Sequence, residues 1–238
     1  MNQYKTSSQL KALAKDSLMG KYPVAVVATL LYTLITYIIT EISSVFLLIP
    51  GIFGTILYYL SIFIVSVFSG IFADGFNSVF LKISCNVPAK ANDLYLGFSN
   101  NTKEVFKAQL WRAFISYVAF VPCYVFNEIT TEDQLMNYIG LYALLFGIGL
   151  LGQFMVMLLY NQTFFIMLDF PEYNAKKALT FSRALMKGNK GRFIYLLVSF
   201  IPLFLLGMLS CCVGFLWIIP YMQATLAQFY LDLVQNKN

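Results

Sequence analysis

The chain has 238 residues, of which 59% are hydrophobic and only 11% are charged. Soluble domains carry about 25% charged residues, so this composition excludes an ordinary soluble fold. The net charge of +5 comes from Lys and Arg spread over several segments, which favours contact with anionic lipid and argues against nucleic-acid binding. Histidine is absent, so His-based catalysis and the commonest metal ligand are excluded.

The 16 Lys and Arg residues fall in four clusters separated by long uncharged stretches. The clusters cover residues 5–21, 82–112, 176–192 and 237. Between them, the breaks in apolar sequence carry acids, as at Glu41 and 128–133, or no charge, as at Cys211. Cytoplasmic loops of membrane proteins carry the excess of Lys and Arg, and acids count for little in this rule. All four clusters, and with them both termini, are therefore predicted to be cytoplasmic.

Six membrane spans are predicted, because about 20 apolar residues cross a bilayer. Their expected limits are 22–40, 55–82, 108–127, 141–168, 193–210 and 214–233. The stretches 42–81 and 134–168 are long, but a second crossing in either would place the next basic cluster outside. The final stretch, 193–231, is long enough for two crossings with a hinge at Ser210–Gly214. The predicted fold class is all-α: one polytopic transmembrane helix bundle with interfacial helices.

Several spans have irregular features in the sequence. Segment 43–54 contains a Pro-Gly pair and is predicted to be an outer interfacial or re-entrant segment before the second span. Arg112 opens the third span, where its long side chain can extend back to the headgroups. The fourth span is predicted to be one long, tilted helix. Pro220 predicts a kink in the sixth span.

Two amphipathic helices are predicted to lie in the cytoplasmic interface, over 7–18 and 172–187. In the second, apolar and small residues recur at steps of three and four, which marks one face of a helix. These residues are Ala175, Ala178, Leu179, Ser182, Leu185 and Met186. Basic residues on its other faces and just beyond it are candidate contacts for lipid headgroups: Lys176, Lys177, Arg183, Lys187, Lys190 and Arg192. Gly188 is expected to end the helix, whose role is either topological anchoring or lipid sensing and partner docking.

A polar layer is predicted in the cytoplasmic half of the bundle. Asp74 is the only ionisable residue well inside a predicted span, and Ser66, Gly70 and Ser78 share its helical face at spacings of four. With polar residues at similar depth on other spans, the candidate layer comprises Asp74, Asn77, Ser78, Asn161, Gln162, Gln223 and Thr225. Such residues should face the bundle interior, since exposure to lipid is unfavourable. The layer either lines a hydrated cavity that carries a proton or a polar headgroup, or only holds the helices together.

The amino end and the region from Tyr160 onward resemble a known family. The matching residues include Tyr160, Asp169 and Pro171, Leu185-Met186-Lys187-Gly188-Asn189-Lys190, Gly214, Trp217 and Pro220-Tyr221, with Leu18-Met19-Gly20 near the amino end. On these residues the chain resembles the domain of unknown function 975 family, integral membrane proteins of mostly Gram-positive bacteria. The resemblance implies a multi-span protein of the bacterial cytoplasmic membrane and no established reaction.

Enzyme signatures are missing, so the chain is expected to be non-enzymatic, with no catalytic residue and no cofactor. It has no nucleophile elbow, zinc-protease helix, P-loop or dinucleotide fingerprint. Its four cysteines lack the C-x-x-C spacing of zinc sites, so no metal is expected. Cys123, Cys211 and Cys212 are predicted near the outer face, where unpaired thiols are favoured over a disulfide.

Two functions fit these observations. The leading one is an accessory protein of the cell membrane that binds membrane lipids or another membrane protein, in assembly, envelope stress or immunity to membrane-active peptides. The alternative is a transporter of small solutes or amphiphiles that uses the polar layer around Asp74. Loss of solute uptake in an Asp74→Asn variant would favour the transporter.

Overall fold

The computed structural model describes residues 4–98, 101–130 and 137–237. These residues form helices joined by turns, with no strand among them, which confirms the all-α class. The α-helices are α1 (Ser7–Leu18), α2 (Tyr22–Ser44), α3 (Ile52–Ser84), α4 (Thr102–Ile129), α5 (Ile139–Tyr160), α6 (Thr163–Asp169), α7 (Ala175–Met186), α8 (Lys190–Val198), α9 (Ile201–Leu209) and α10 (Phe215–Gln235). Short 3-10 helices cover Val45–Leu48 and Ala91–Phe98. The acids at 132 and 133 lie outside the described residues.

Membrane embedding is supported by the length and apolar character of the helices. Among the described residues, the stretches long and apolar enough to cross a membrane are Tyr22–Leu48, Ile52–Ser84, Ile139–Asp169 and Lys190–Leu209. Large side chains on them are left uncovered by the protein: Leu34, Leu144 and Leu206 are 55, 61 and 60% exposed. Extensive apolar surface of this kind suits lipid rather than water. Helices α4 and α10 have 28 and 21 residues but are more polar, so six crossings stay a prediction.

Helix α4 packs antiparallel between α3 and α5. Toward one end of the pair, Tyr59 of α3 stacks on Tyr124 of α4 with ring centroids 4.6 Å apart. Further along α3, the Gln109 side-chain amide donates to the carbonyl of Ser66 (2.9 Å). On the other side, Gly152 of α5 lies so close to α4 that an added Cβ would come within 2.5 Å of a side-chain atom. These three helices form the layer that holds most of the polar residues described below.

One end of the bundle holds the larger buried core together with the basic clusters, and we call it the basic end. Lys21 Nζ donates to Asn86 Oδ1 (3.0 Å), which joins the first cluster to the end of α3. Arg192 donates to the carbonyl of Lys5 (2.8 Å). Lys237 lies over a ring of α7, 4.3 Å from its centroid. The structure thus gathers the basic clusters and both chain ends at one end, and the side of the membrane that this end faces stays a prediction.

Two stretches predicted as continuous helices are interrupted. Helix α5 gives way to α6 at a turn over 161–162, and α8 gives way to α9 at a turn over 199–200. The second break has a covalent cause, because Pro202 has no N–H to continue the helical ladder. At this break, the ammonium group of Lys11 donates to the carbonyl of Ser199 (2.7 Å). No proline lies at the first break, whose residues are polar.

At the opposite end of the bundle, α2 is joined to α3, and α9 to α10, by short connections. Segment 43–54 contains the end of α2, a 3-10 helix and a turn at Gly51 (φ +83°), so it is a compact connection. The hinge predicted at 210–214 is confirmed, and the two cysteines in it adopt left-handed φ values of 53° and 67°. All four cysteines are free. Helix α10 stays continuous through Pro220.

Both amphipathic helices form where predicted, α1 over the whole of 7–18 and α7 within 172–187. The buried residues of α7 are the six predicted for its apolar face, and Gly188 (φ +82°) follows its end. This face packs on α4, α5 and α6, with Ser182 Oγ donating to the carbonyl of Leu159 (2.9 Å). Helix α1 likewise packs on α10 and α3. The apolar faces are therefore buried in protein, which leaves only the polar faces for headgroups.

Candidate functional site

Asp74 lies in the interior of the bundle on α3. It is 1% exposed, and its Oδ1 has no hydrogen-bond partner among the described residues. Ser78 on the same face is also buried, and Asn77 beside it is half-buried. One turn before Asp74, Gly70 packs against Gln109 of α4, whose Cγ would lie 2.2 Å from an added Cβ. The structure thus places the polar stripe of α3 toward the bundle interior.

The turn between α5 and α6 supplies a run of buried polar groups. Gln162 and Thr163 are fully buried, and Asn161 is half-buried. The amide nitrogen of Asn161, both amide atoms of Gln162, the Thr163 hydroxyl and the Tyr160 hydroxyl have no partner among the described residues. Helix α6 packs on α3, the helix that carries Asp74. Buried polar groups are nearly always paired in proteins, so this run suits water or a polar ligand better than a tie between helices.

Two further polar residues of this region lie on α4: Gln109, which the sequence did not single out, and Arg112, which was predicted to extend toward the headgroups. The side-chain oxygen of Gln109 has no partner, although its nitrogen is bonded to Ser66. The Arg112 guanidinium lies over the Phe164 ring, 4.8 Å from its centroid, and its Nε and Nη1 are buried without partners. Arg112 therefore turns inward rather than toward the headgroups. The helical spacing of Gln109, Arg112 and Ser116 was the signal that could have identified this face.

A cavity of about 680 Å³ lies between α3, α4 and α5, and we call it the α4 cavity. Its polar lining consists of Ser66, Gln109, Arg112, Ser116, Tyr117, Tyr124 and Gln153. Its apolar lining consists of Ala113, Phe120, Leu150, Phe154, Val156 and Met157. Sites for small molecules have volumes of about 300–1,000 Å³, so the α4 cavity can hold a ligand of that size. Asp74 does not line it.

Gln223 and Thr225 on α10 are less closely associated with Asp74. Thr225 is fully buried, but its hydroxyl donates to a carbonyl of its own helix (2.7 Å). Helices α3 and α10 run in the same direction, and Gln228 reaches the carbonyl of Ser84 (3.4 Å). This register places Thr225 about 10 Å further along the helices than Asp74, at 1.5 Å per residue. Gln223 is half-buried. The α10 residues thus lie nearer the basic end than predicted.

The 3-10 segment Ala91–Phe98 packs on α3 beside Asp74. An added Cβ at Gly75 would lie 1.8 Å from the carbonyl oxygen of Leu94, so the two backbones touch. Lys82 and Asp93 form an ion pair (3.0 Å) that holds the start of the segment. Leu94 is fully buried in this contact. The segment Ala91–Phe98 therefore covers α3 at the position next to the Asp74 carboxylate.

The basic end carries a groove of about 400 Å³ between α4 and α7, which we call the α4–α7 groove. It is lined by Lys107, Trp111, Ala175, Lys176, Leu179, Thr180 and Arg183. Trp111 is 48% exposed. Cations beside an exposed indole suit the boundary between headgroups and acyl chains. The groove brings together two of the six predicted headgroup residues, Lys176 and Arg183.

The other predicted headgroup residues differ in their availability. Lys177 and Lys187 are exposed, and the Lys177 ammonium lies over an aromatic ring, 3.7 Å from its centroid. Lys190 is half-buried. Arg192 is engaged within the protein, because its Nη2 donates to Oδ2 of the buried Asp232 (2.7 Å). Arg192 therefore ties α8 to α10 rather than standing free for lipid.

Binding is the chemistry that these arrangements support. The α4–α7 groove offers positive charge at the rim of the bundle, and the α4 cavity offers hydrogen bonds and one guanidinium inside it. Among the described residues, no group of three or more acids or cysteines is placed to hold a metal ion.

Comparison with known proteins identifies the family of the chain. The family model described as "Protein of unknown function (DUF975)" matches residues 1–237. No curated protein and no solved structure matches the chain. The match includes the middle of the sequence as well as the region from Tyr160 onward, and the apolar helices agree with an integral membrane protein. The chain therefore belongs to the DUF975 family, whose function is unknown.

Proposed function

We propose that this chain is a non-enzymatic accessory protein of the bacterial cytoplasmic membrane that binds anionic lipid headgroups at its basic end. The observation that carries the proposal is the α4–α7 groove, in which Lys107, Lys176 and Arg183 surround the exposed Trp111. Each Lys or Arg near an anionic membrane surface contributes about 1 kcal/mol of attraction. If the basic end is cytoplasmic, as the charge pattern predicts, the groove lies at the level of these headgroups.

The α4–α7 groove is held in shape by hydrogen bonds to Glu104 and by the buried face of α7. Glu104 accepts hydrogen bonds from Lys107 and from the backbone N–H of Ala175 (2.8 Å), which joins the start of α4 to the start of α7. The buried face of α7 fixes its rotation, so Lys176 and Arg183 are presented on the uncovered side. A groove built on two packed helices loses little conformational entropy when a headgroup binds.

The test compares lipid binding by charge variants. We expect Lys176→Gln with Arg183→Gln to reduce bound phosphatidylglycerol about tenfold or more, since two cations at about 1 kcal/mol each are removed. The matched control is Lys15→Gln with Lys90→Gln, which removes two exposed charges outside the groove. Native mass spectrometry of the purified protein with equal phosphatidylglycerol and phosphatidylcholine measures the bound fractions. Equal loss in both double variants, or no preference for the anionic lipid, would refute the groove as the binding site.

An accessory role also requires a protein partner, and this part of the proposal is tested separately. The protein extracted in nanodiscs from its own membrane should carry a stoichiometric partner in native mass spectrometry. The identity of that partner would indicate the process in which the chain acts: assembly, envelope stress or immunity to membrane-active peptides. A chain that appears alone with a bound solute would contradict the accessory role.

The second candidate function is transport of a small solute or amphiphile through the polar layer around Asp74. It is favoured by the unpaired buried groups of Asp74 and of the turn between α5 and α6. In vesicles with a proton gradient, Asp74→Asn should abolish uptake while the melting temperature stays the same or rises. Asp74→Leu is the second variant: if Asp74→Asn and Asp74→Leu are both fully stable and active, the polar stripe around Asp74 is not functional.

A further inference from the structure

Arg112 brings a positive charge into the bundle that no carboxylate of the described residues neutralises. None of the ion pairs in the described parts of the chain includes Arg112, and two of its three guanidinium nitrogens are buried without partners. A guanidinium keeps its charge in proteins, and an unpaired buried charge is strongly unfavourable. The Phe164 ring at 4.8 Å offsets only part of this by a cation–π contact.

The surroundings of Arg112 supply hydrogen-bonding groups but no counter-charge. The α4 cavity contains no Asp or Glu in its lining. Glu104, two turns earlier on α4, is already bonded to Lys107 and to the N–H of Ala175. Next to Arg112, Ser116 and Gln109 add a hydroxyl and an amide to the cavity wall. This is a site for a negatively charged group with several acceptor oxygens.

The shape of the cavity indicates what carries that negative group. Along α4 the cavity runs from Gln109 to Tyr124, about 22 Å at 1.5 Å per residue. Its α5 wall is apolar apart from Gln153, and Leu150 and Phe154 on that wall are 50 and 38% exposed, so the cavity opens toward the lipid-facing surface. A ligand that enters from this side and has an anionic head is an amphiphile.

We infer that the α4 cavity binds an anionic amphiphile whose carboxylate or phosphate oxygens pair with Arg112 and whose apolar chain lies against α5. This site is separate from the α4–α7 groove and does not depend on the proposed function. Arg112 lies five residues beyond Lys107, about 7.5 Å further along α4. The anionic head of the amphiphile is therefore held deeper in the bundle than the α4–α7 groove.

The test uses oleate and oleyl alcohol, which share a chain and differ in the charge of the head. Delipidated protein in detergent is titrated with each, and native mass spectrometry counts the adducts. Wild type should retain oleate at least tenfold better than oleyl alcohol, and Arg112→Gln should lose most of this preference, keeping only what the α4–α7 groove contributes. Lys90→Gln is the control, because Lys90 is an exposed cation outside both the α4 cavity and the α4–α7 groove.

A second readout applies if the variant binds nothing. Without ligand, Arg112→Gln should melt at the same or a higher temperature than wild type, because an unpaired charge is removed. Unchanged oleate binding in Arg112→Gln would overturn the inference. Equal binding of oleate and oleyl alcohol by wild type would also overturn it, and this comparison does not need the variant. If inorganic phosphate raises the melting temperature of wild type as much as oleate does, the site binds a small oxyanion. That result would overturn the assignment of an amphiphile.

Discussion

At the scale of single residues, two buried carboxylates differ in their partners. Asp232 is 1% exposed, accepts from Arg192 and lies 3.6 Å from the Lys5 ammonium. Asp74 is equally buried, but one of its oxygens has no partner. Removing one partner of a buried ion pair is strongly destabilising, and a buried carboxylate without a partner opposes folding. Asp232 therefore has a structural role, and Asp74 is the better candidate for function.

Glu104 gives a pH-dependent prediction. The hydrogen bond from Lys107, with a smaller contribution from the Ala175 N–H, lowers the pKa of the Glu104 carboxyl below its ordinary 4.5. A lowered pKa contributes stability above the ordinary value, and this stability is lost as the pH falls through the folded-state pKa. Glu104→Gln should therefore destabilise the protein by about 1 kcal/mol at pH 7, and this destabilisation should shrink as the pH falls below 4.5.

Thermal unfolding of Glu104→Gln and wild type across this pH range checks the prediction. The matched control is Glu172→Gln, since Glu172 is an exposed carboxylate near the start of α7, the helix whose first N–H bonds to Glu104. A destabilisation by Glu104→Gln that is the same at pH 4 and pH 7 would show that charge is not involved.

At the scale of elements, close backbone contacts decide which segments can cover α3. The segment Ala91–Phe98 reaches α3 only because Gly75 has no side chain between Leu94 and the helix. Helix α7 is placed by burial of one face and by the hydrogen bond from Ala175 to Glu104. Both elements lie at the basic end, so the polar residues near them sit in the well-packed half of the bundle.

Gly75→Ala tests the contact between α3 and the segment Ala91–Phe98. The added methyl group would lie 1.8 Å from a backbone oxygen, so a shift is required, and we expect a loss of about 1–3 kcal/mol in stability. Gly191→Ala in α8 is the control, because nothing lies within 4 Å of the added Cβ. Thermal unfolding in detergent measures both; equal melting temperatures for the two variants would contradict the close contact.

At the scale of the whole molecule, the two ends differ in charge and packing. Among the described residues, the basic end holds the first and last residues, the basic clusters and the buried core, whereas the opposite end holds the short connections before α3 and α10 and exposed apolar side chains. This asymmetry matches the predicted orientation, in which the basic end faces the cytoplasm.

The natural cysteines provide a test of that orientation. Cys85 is exposed at the basic end, and Cys211 and Cys212 are exposed in the turn before α10. A variant that keeps only the pair in the turn should react with an impermeant maleimide on intact cells. A variant that keeps only Cys85 should react only after the membrane is permeabilised. The reverse pattern would show that the basic end faces outward. Labelling of both variants from outside would show that α8–α9 and α10 do not cross the membrane.

Patterns within the sequence were sufficient to predict the all-α class, the approximate positions of the helices and the buried face of α7. Hydrophobic runs and charge clusters are local properties of the chain, and burial of the same six residues on α7 follows from a spacing of three and four. The stripe around Asp74 was predictable for the same reason. The hinge before α10 was predictable because the final apolar run is too long for one crossing.

The polar side chains that come together from different helices, and the surfaces that cover the apolar faces of the amphipathic helices, depend on tertiary packing. The inward direction of Arg112 depends on where α6 places Phe164, and the covering of α7 depends on α4, α5 and α6. The break at 161–162 and the position of Thr225 likewise depend on packing between helices distant in sequence. Helical periodicity fixes the direction of a side chain relative to its own axis, but its partners depend on the register between helices, which no single segment encodes.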